Sequence, residues 1–353
     1  MVVNAEFWSG RRVLLTGHTG FKGGWLALWL RELGADVRGY ALPANTSPSL
    51  WQVARLEERV TGPLADIRNA QGLVDASGAF RPEIILHLAA QPLVRESYRA
   101  PAETYATNVM GTLNVLEAAR RCDSVRAVLV VSSDKCYENR EWLWPYREQD
   151  ALGGHDPYSS SKACVELLCA SWRESFLHEA GIALATARAG NVIGGGDWSA
   201  DRLLPDILRA WERGETLTLR YPQAIRPWQY VLEPLSGYLL LAQALLERND
   251  VASAWNFGPD AEGLTSVGEL VERLSQLWPG EARWQVENGA QPHEAGRLTL
   301  DSSRARAQLG WRPRWTLQQT LERTLDWHRA WRAGEDMQAF SRAQIAAYQG
   351  EVR

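Results

Sequence analysis

Along the first half of the chain, apolar runs that stop at glycine or serine alternate with stretches whose apolar residues fall every three or four positions. The first run, Arg12 to Thr16 (RVLLT), leads into Gly17, Gly20 and Gly23. Trp25, Leu28, Trp29 and Leu33 then recur at helical spacing, so strand, glycine turn and helix follow in that order. Further strands are expected at Asp36 to Leu42, at Glu83 to Gln91, in the run ending at Ser132 and Ser133, and at Ile182 to Ala189. Tyr105, Val109, Leu113 and Leu116 keep helical spacing between Ala102 and Arg121, and DPYSSSK opens another helix after the fourth strand. This alternation predicts an α/β fold, a Rossmann-type doubly wound parallel sheet.

The texture changes after Gly190. Asn191 to Trp198 (NVIGGGDW) is too glycine-rich for regular structure and reads as a loop that approaches a ligand closely. Leu203 to Arg213 is helical, Thr216 to Leu219 and Ile225 to Val231 are strand-like, and Ser236 to Leu246 is an apolar helix expected to return to the first lobe. Helices at Ser266 to Leu277, Arg304 to Trp311 and Leu317 to Arg332, with an extended Leu298 to Leu300, complete a smaller mixed α/β lobe. The expected division is a dinucleotide-binding domain of residues 1–190 plus about 232–258, and a substrate-binding lobe of 191–231 and 259–353.

At 353 residues the chain suits two lobes, and its formal net charge of -4 argues against nucleic acid as the main partner. Cys122, Cys136, Cys164 and Cys169 show neither CxxC spacing nor a pairing with histidine, so no metal site is expected and the thiols read as reduced. The first residues lack the pattern of a signal peptide, and no apolar run nears the roughly 20 residues of a spanning helix; a cytoplasmic protein without membrane contact is expected. Seventeen tryptophans are many. Trp142, Trp144, Trp198 and Trp228 lie in loop-like sequence, where they either pack the lobes or line a pocket for a sugar or base.

Two stretches carry chemistry. GHTGFKG between strand and helix suits a dinucleotide phosphate, because small residues let backbone N–H groups approach it at the positive helix end. The second strand lacks the acid that would grip the adenosine ribose, which leaves NAD and NADP both open. Arg38 would favour a 2′-phosphate or simply face outward. In the second stretch, Tyr158 and Lys162 are four apart on one helix face. The ammonium is expected to lower the phenol's pKa and make Tyr158 an acid and base. His87, with no partner cluster around it, reads as a core or loop histidine.

GHTGFKG, HLAAQ, the set Ser133, Tyr158 and Lys162, and NVIGGGDW together resemble the extended short-chain dehydrogenase/reductases that act on nucleotide sugars. SDKCY and NVIGGGDW narrow the resemblance to the CDP-glucose 4,6-dehydratases, over nearly the whole chain. It implies oxidation at C4 by NAD, loss of water across C5 and C6, and reduction at C6, a step in deoxysugar and lipopolysaccharide O-antigen biosynthesis. It implies that Ser133 holds the 4-oxygen, Tyr158 and Lys162 serve the oxidation, Asp134 protonates the leaving hydroxyl, and Lys135 is the base at C5. Cofactor contacts are implied for Gly17, Thr19, Gly20, Phe21, Lys22, Gly23, Asp66, Ile67, Leu88, Ala89, Ala90, Tyr158 and Lys162, with Asn108 propping the active-site strand. Asn191 would meet the sugar or diphosphate, and Arg202 and Arg226 the substrate diphosphate, either arginine being otherwise a surface residue. Tyr230 stands where the resemblance leads one to expect histidine, so it alters a contact to the nucleotide ribose or the packing behind it. The alternatives are a dehydratase of dTDP-glucose or GDP-mannose, a nucleotide-sugar 4-epimerase, and a cofactor-sensing binding protein. A homodimer is implied, packed through the helix of Ala102 to Arg121 and the Tyr158 helix.

Overall fold

The computed structural model describes residues 3–287 and 295–350. Its central sheet has the order β2 (Asp36–Tyr40), β1 (Arg12–Thr16), β3 (Ile84–His87), β4 (Ala127–Val131), β5 (Ala183–Ala189) and β9 (Ala254–Phe257). Every pairing is parallel. Strands β3 and β4 are buried along their whole length, which is why they read as unbroken apolar runs rather than as alternating ones. The chain reverses its direction of travel across the sheet between β1 and β3, and the carboxyl ends at such a point open a cleft.

One apolar cluster covers one face of the sheet and includes Trp25, Trp29 and the helix Leu232–Glu247. A second, with Leu73, Val115, Leu116 and Val165, covers the other. The apolar helix after β8 (Ile225–Tyr230) packs on β4 and β5, as its composition predicts.

Beyond the sheet, β6 (Asn191–Ile193) pairs in parallel with β8, and β10 (Leu264–Ser266) flanks β8 on its other side. β7 (Leu217–Leu219) pairs with β11 (Trp284–Val286). The expectation that Asn191 to Trp198 has no regular structure is thus corrected at its start: three residues join β8 before the glycines begin. A closing helix, Met337–Gly350, was also not foreseen; its Tyr348 and Ile345 pack into the first cluster. Thr316 caps the preceding helix with a full capping box, which sets where Leu317–Arg332 begins.

Candidate active site

Turns after β1, β3 and β4 converge on the cleft. Gly17 has φ +75°, and a Cβ there would lie 2.7 Å from the Ala89 backbone nitrogen; a Cβ on Gly23 would lie 2.0 Å from the Gly17 oxygen. The turn is therefore closed to any side chain at these two positions. Gly20 caps the helix Phe21–Glu32 without a side-chain bond, so no side chain competes for the first-turn N–H groups. Thr16 Oγ1 accepts the N–H groups of Leu88 and Ala89 at 3.1 and 3.2 Å, tying the β1 turn to the β3 turn. Thr19 Oγ1 donates to the Leu42 carbonyl at 2.8 Å. Asp66 accepts the Arg68 backbone N–H at 2.8 Å and pairs with its guanidinium, while Ile67 is buried against Gly111.

Asn108 sits in a π turn, Ala106–Met110, that interrupts an otherwise α-helical stretch of residues 101–120. Such turns re-aim side chains and concentrate at functional places. Its Oδ1 accepts from Gln91 N at 2.8 Å, and its Nδ2 donates to Gln91 O at 3.1 Å and to Ser161 Oγ at 2.9 Å. Asn108 thus braces the β3 turn against the Tyr158 helix. His87 is the expected core histidine, held between Thr16 Oγ1 at 2.7 Å and Thr112 Oγ1 at 3.0 Å. Burial, and then the charge of Lys162, lower its pKa to about 3.

The helix Pro157–Trp172 starts where it does because Asp156 accepts the Ser159 N–H at 2.9 Å and proline occupies its first position. It presents Tyr158 and Lys162 beside the end of β4, where Lys162 Nζ donates to the Val131 carbonyl at 3.3 Å. The phenol departs from expectation: burial pushes it up to about 12, with Ser133 only partly opposing. Lys162 is itself brought down to about 8, by burial above all.

Ser133 opens a short 3-10 turn, Asp134–Cys136, by accepting the Lys135 N–H at 3.2 Å. Its Oγ donates to Asp134 Oδ1 at 3.1 Å, and the other carboxyl oxygen of Asp134 is buried with no hydrogen-bond partner among the described residues. Burial raises the Asp134 carboxyl against the opposing charges of Lys135, Arg226 and Lys22. A carboxyl inclined to stay protonated suits a proton donor.

The two expected diphosphate arginines differ in setting. Arg226 is buried, not on the surface, and its charge bears on Asp134. Arg202 pairs with Asp197 at 3.2 Å, and its charge bears on Lys22 and Tyr158. Lys22 is brought down to about 7 by burial first, then by Arg202. Asn191, half-buried, begins β6 opposite Trp228. Tyr230 resolves toward packing: wholly buried, it donates to Gln344 Oε1 and rests edge-on to Trp25.

The tryptophans divide. Trp228 is core, Trp142 stacks on Tyr146, and Trp144 is 69% exposed. Trp198 joins Trp327 and Trp331 around a cavity of about 280 Å³ behind the glycine-rich loop. Two features escaped the sequence analysis. Arg297 bridges to Ile225 beside Arg226, and a buried Arg188–Glu166 pair lies under the site. A charged residue in the small, apolar run ALATARA, and a glutamate four after Lys162, were the signals available.

Residues 14–324 match the family described as GDP-mannose 4,6 dehydratase. The chain belongs to that family. It is 50% identical to a CDP-glucose 4,6-dehydratase of Salmonella typhimurium, across 98% of each chain. It is 28% identical to a dTDP-glucose 4,6-dehydratase of Xanthomonas campestris, over 89% of this chain and 92% of that one. In fold it resembles the dTDP-glucose 4,6-dehydratase of Streptomyces venezuelae solved with NAD and TYD bound, with a TM-score of 0.78 over 93% of this chain and 99% of that one at 23% identity. It also resembles an epimerase of Methanothermobacter thermautotrophicus, with a TM-score of 0.82 over 94% and 96% at 24% identity. Among the described residues no helix is long and apolar enough to cross a membrane, and no cluster of histidine, cysteine and acidic residues could hold a metal.

Proposed function

We propose that the chain is a CDP-glucose 4,6-dehydratase that works with NAD in the cytoplasm. The observation that carries this reading is Asp134, a buried, protonation-prone carboxyl hydrogen-bonded to Ser133 beside Tyr158. An epimerase needs only the base for the 4-hydroxyl, so an acid at this place would be idle in it. The half-identical relative supports the nucleotide.

NAD, when bound, supplies the oxidant at C4 and then the reductant at C6. The residues that fit it are the glycine turn and the open helix start, with Phe21, Lys22, Asp66, Ile67, Leu88, Ala89 and Ala90 around them. NAD is favoured over NADP because Arg38 is drawn onto the Phe80 ring, 5.0 Å from its centroid, and the His18 ring fills the space over Gly39. Tyr158 accepts the proton of the 4-hydroxyl, which Ser133 orients, once binding has brought its phenol down from about 12; Lys162 stands one turn on along the same helix face. Lys135 removes the proton from C5 and later returns one. Asp134 gives its proton to the 6-hydroxyl, which leaves as water. Asn191, Arg202 and Arg226 hold the sugar diphosphate, residues 191–231 and 259–353 forming the substrate lobe.

Incubation with NAD and, in parallel, CDP-glucose, dTDP-glucose, GDP-mannose and UDP-glucose tests this. A 4-keto-6-deoxy product from CDP-glucose alone is expected; mere interconversion of epimers would sink the dehydratase assignment. A homodimer through the helical stretch of residues 101–120 and the Tyr158 helix is supported by Met110 and Leu167, which are 51% and 60% exposed. Sedimentation showing only monomer would exclude it.

A further inference from the structure

Arg188 stands in β5 among small and apolar residues, and both it and Glu166 keep only 3% side-chain exposure. Charges buried this deeply persist only when paired and hydrogen-bonded. One end of the guanidinium donates to Glu166 Oε2 at 2.8 Å, an oxygen that also accepts Thr186 Oγ1 at 2.7 Å. The other end donates to the Tyr137 hydroxyl at 2.7 Å and to the Glu148 carbonyl at 3.2 Å. The Tyr137 hydroxyl in turn donates to Asn256 Oδ1 at 2.8 Å, and Asn256 Nδ2 donates to the Tyr146 carbonyl at 2.9 Å.

The two ends of this network are not equivalent. Glu166 follows Lys162 by four residues on the Tyr158 helix, so Tyr158, Lys162 and Glu166 form one stripe. Tyr137 directly follows the turn of Asp134 and Lys135 and closes on the Asp134 carbonyl through its N–H at 3.5 Å. Burial alone would raise the Glu166 carboxyl, but the charge and hydrogen bonds of Arg188, with Thr186, hold it below the usual range. A single guanidinium therefore spans from the helix that carries one acid–base pair to the turn that carries the other.

We propose that Arg188 is a positioning residue that fixes the spacing between the Tyr158–Lys162 pair and the Asp134–Lys135 pair. The proposal rests on the dehydratase assignment and adds a division of labour within it. Oxidation at C4 requires only the first pair, whereas loss of water requires both pairs to meet one sugar ring in register. Small displacements of a reacting group are costly in rate, so slack at the turn slows elimination and spares oxidation.

The test variant is Tyr137→Phe, which deletes the hydroxyl that Arg188 holds and keeps the ring, stacked 5.0 Å from Tyr146. In a single turnover with NAD and CDP-glucose, reduced nicotinamide should form at the wild-type rate. Dehydration should slow about tenfold, an increment of about 1.4 kcal/mol in barrier, so reduced nicotinamide accumulates. The KM for CDP-glucose and the calorimetric Kd for NAD should move less than about twofold. Wild-type protein run alongside shows by its own product whether the dehydratase assignment holds, independently of the variant. Glu166→Gln loosens the other end and should slow the oxidation phase at least as much as the dehydration. If Tyr137→Phe slows both phases together, or neither, or gives the same split as Glu166→Gln, Arg188 is a core residue and the proposal is overturned.

Discussion

The turn after β1 and the turn after β4 stand two strands apart on the same edge of one sheet, yet the first is built from missing side chains and the second from buried charged ones. At the first, Gly17 and Gly23 let backbone meet backbone at distances no Cβ tolerates, and the helix start offers N–H groups whose character no neighbour can titrate. At the second, Ser133, Asp134, Tyr158 and Lys162 are all nearly buried, and burial is the largest influence on the titration of the last three. A backbone site is thus set by local sequence, whereas a side-chain site takes its chemistry from whatever the rest of the fold packs around it.

The sharpest way to break this contrast is Asp134→Asn, which keeps shape and removes the proton. A general acid is worth about 10²–10⁴-fold, so kcat should fall by that order while reduced nicotinamide still forms in a single turnover. Because the carboxyl is buried at a cost, the thermal midpoint should not drop. Retention of full dehydratase turnover would mean that another group protonates the leaving hydroxyl.

Gly23→Ala tests the backbone turn and should have the next largest effect. The added methyl meets the Gly17 carbonyl at 2.0 Å, and relief by backbone movement costs about 1–3 kcal/mol. The expected result is a loss of about 5–150-fold in NAD affinity by calorimetry, with Asp134 and Tyr158 undisturbed. Unchanged affinity would show that the phosphate does not rest on this turn.

The contrast also explains which parts were legible in the sequence. The β1 turn, the four strands before β6 that follow it and the Tyr158 helix are written in local patterns: glycines between an apolar run and a helical period, and an Asp-Pro cap ahead of Tyr158. The phenol's direction was not, because Lys162 is engaged by the Val131 carbonyl and Tyr158 is enclosed, both products of tertiary packing. The Arg188–Glu166 pair joins residues 22 apart on a strand and a helix, a contact made by tertiary packing that no local pattern encodes. Likewise, a three-residue strand such as β6 owes its existence to β8, whose paired residues come 37 later, and not to its own composition.

Lys22 lies where the two kinds of site meet, a titratable side chain on the second residue of the glycine-turn helix, and it gives the mildest test. Burial and the charges of Arg202 and Lys162 bring its pKa down to about 7, against the pull of Asp134 and Asp197. A lysine with a lowered folded pKa resists its proton, so the free protein loses stability from this group as pH falls from about 10.5 to about 7, and little further below that. A diphosphate placed nearby would reverse the preference and draw the proton back. NAD binding should then take up a proton above pH 7 and weaken by at most about tenfold per pH unit as pH rises, a trend that Lys22→Met should flatten. Calorimetry in two buffers of different ionisation enthalpy reads the proton directly. If affinity and proton uptake are the same on either side of neutrality, Lys22 has no part in holding the diphosphate, and the first turn is a backbone site throughout.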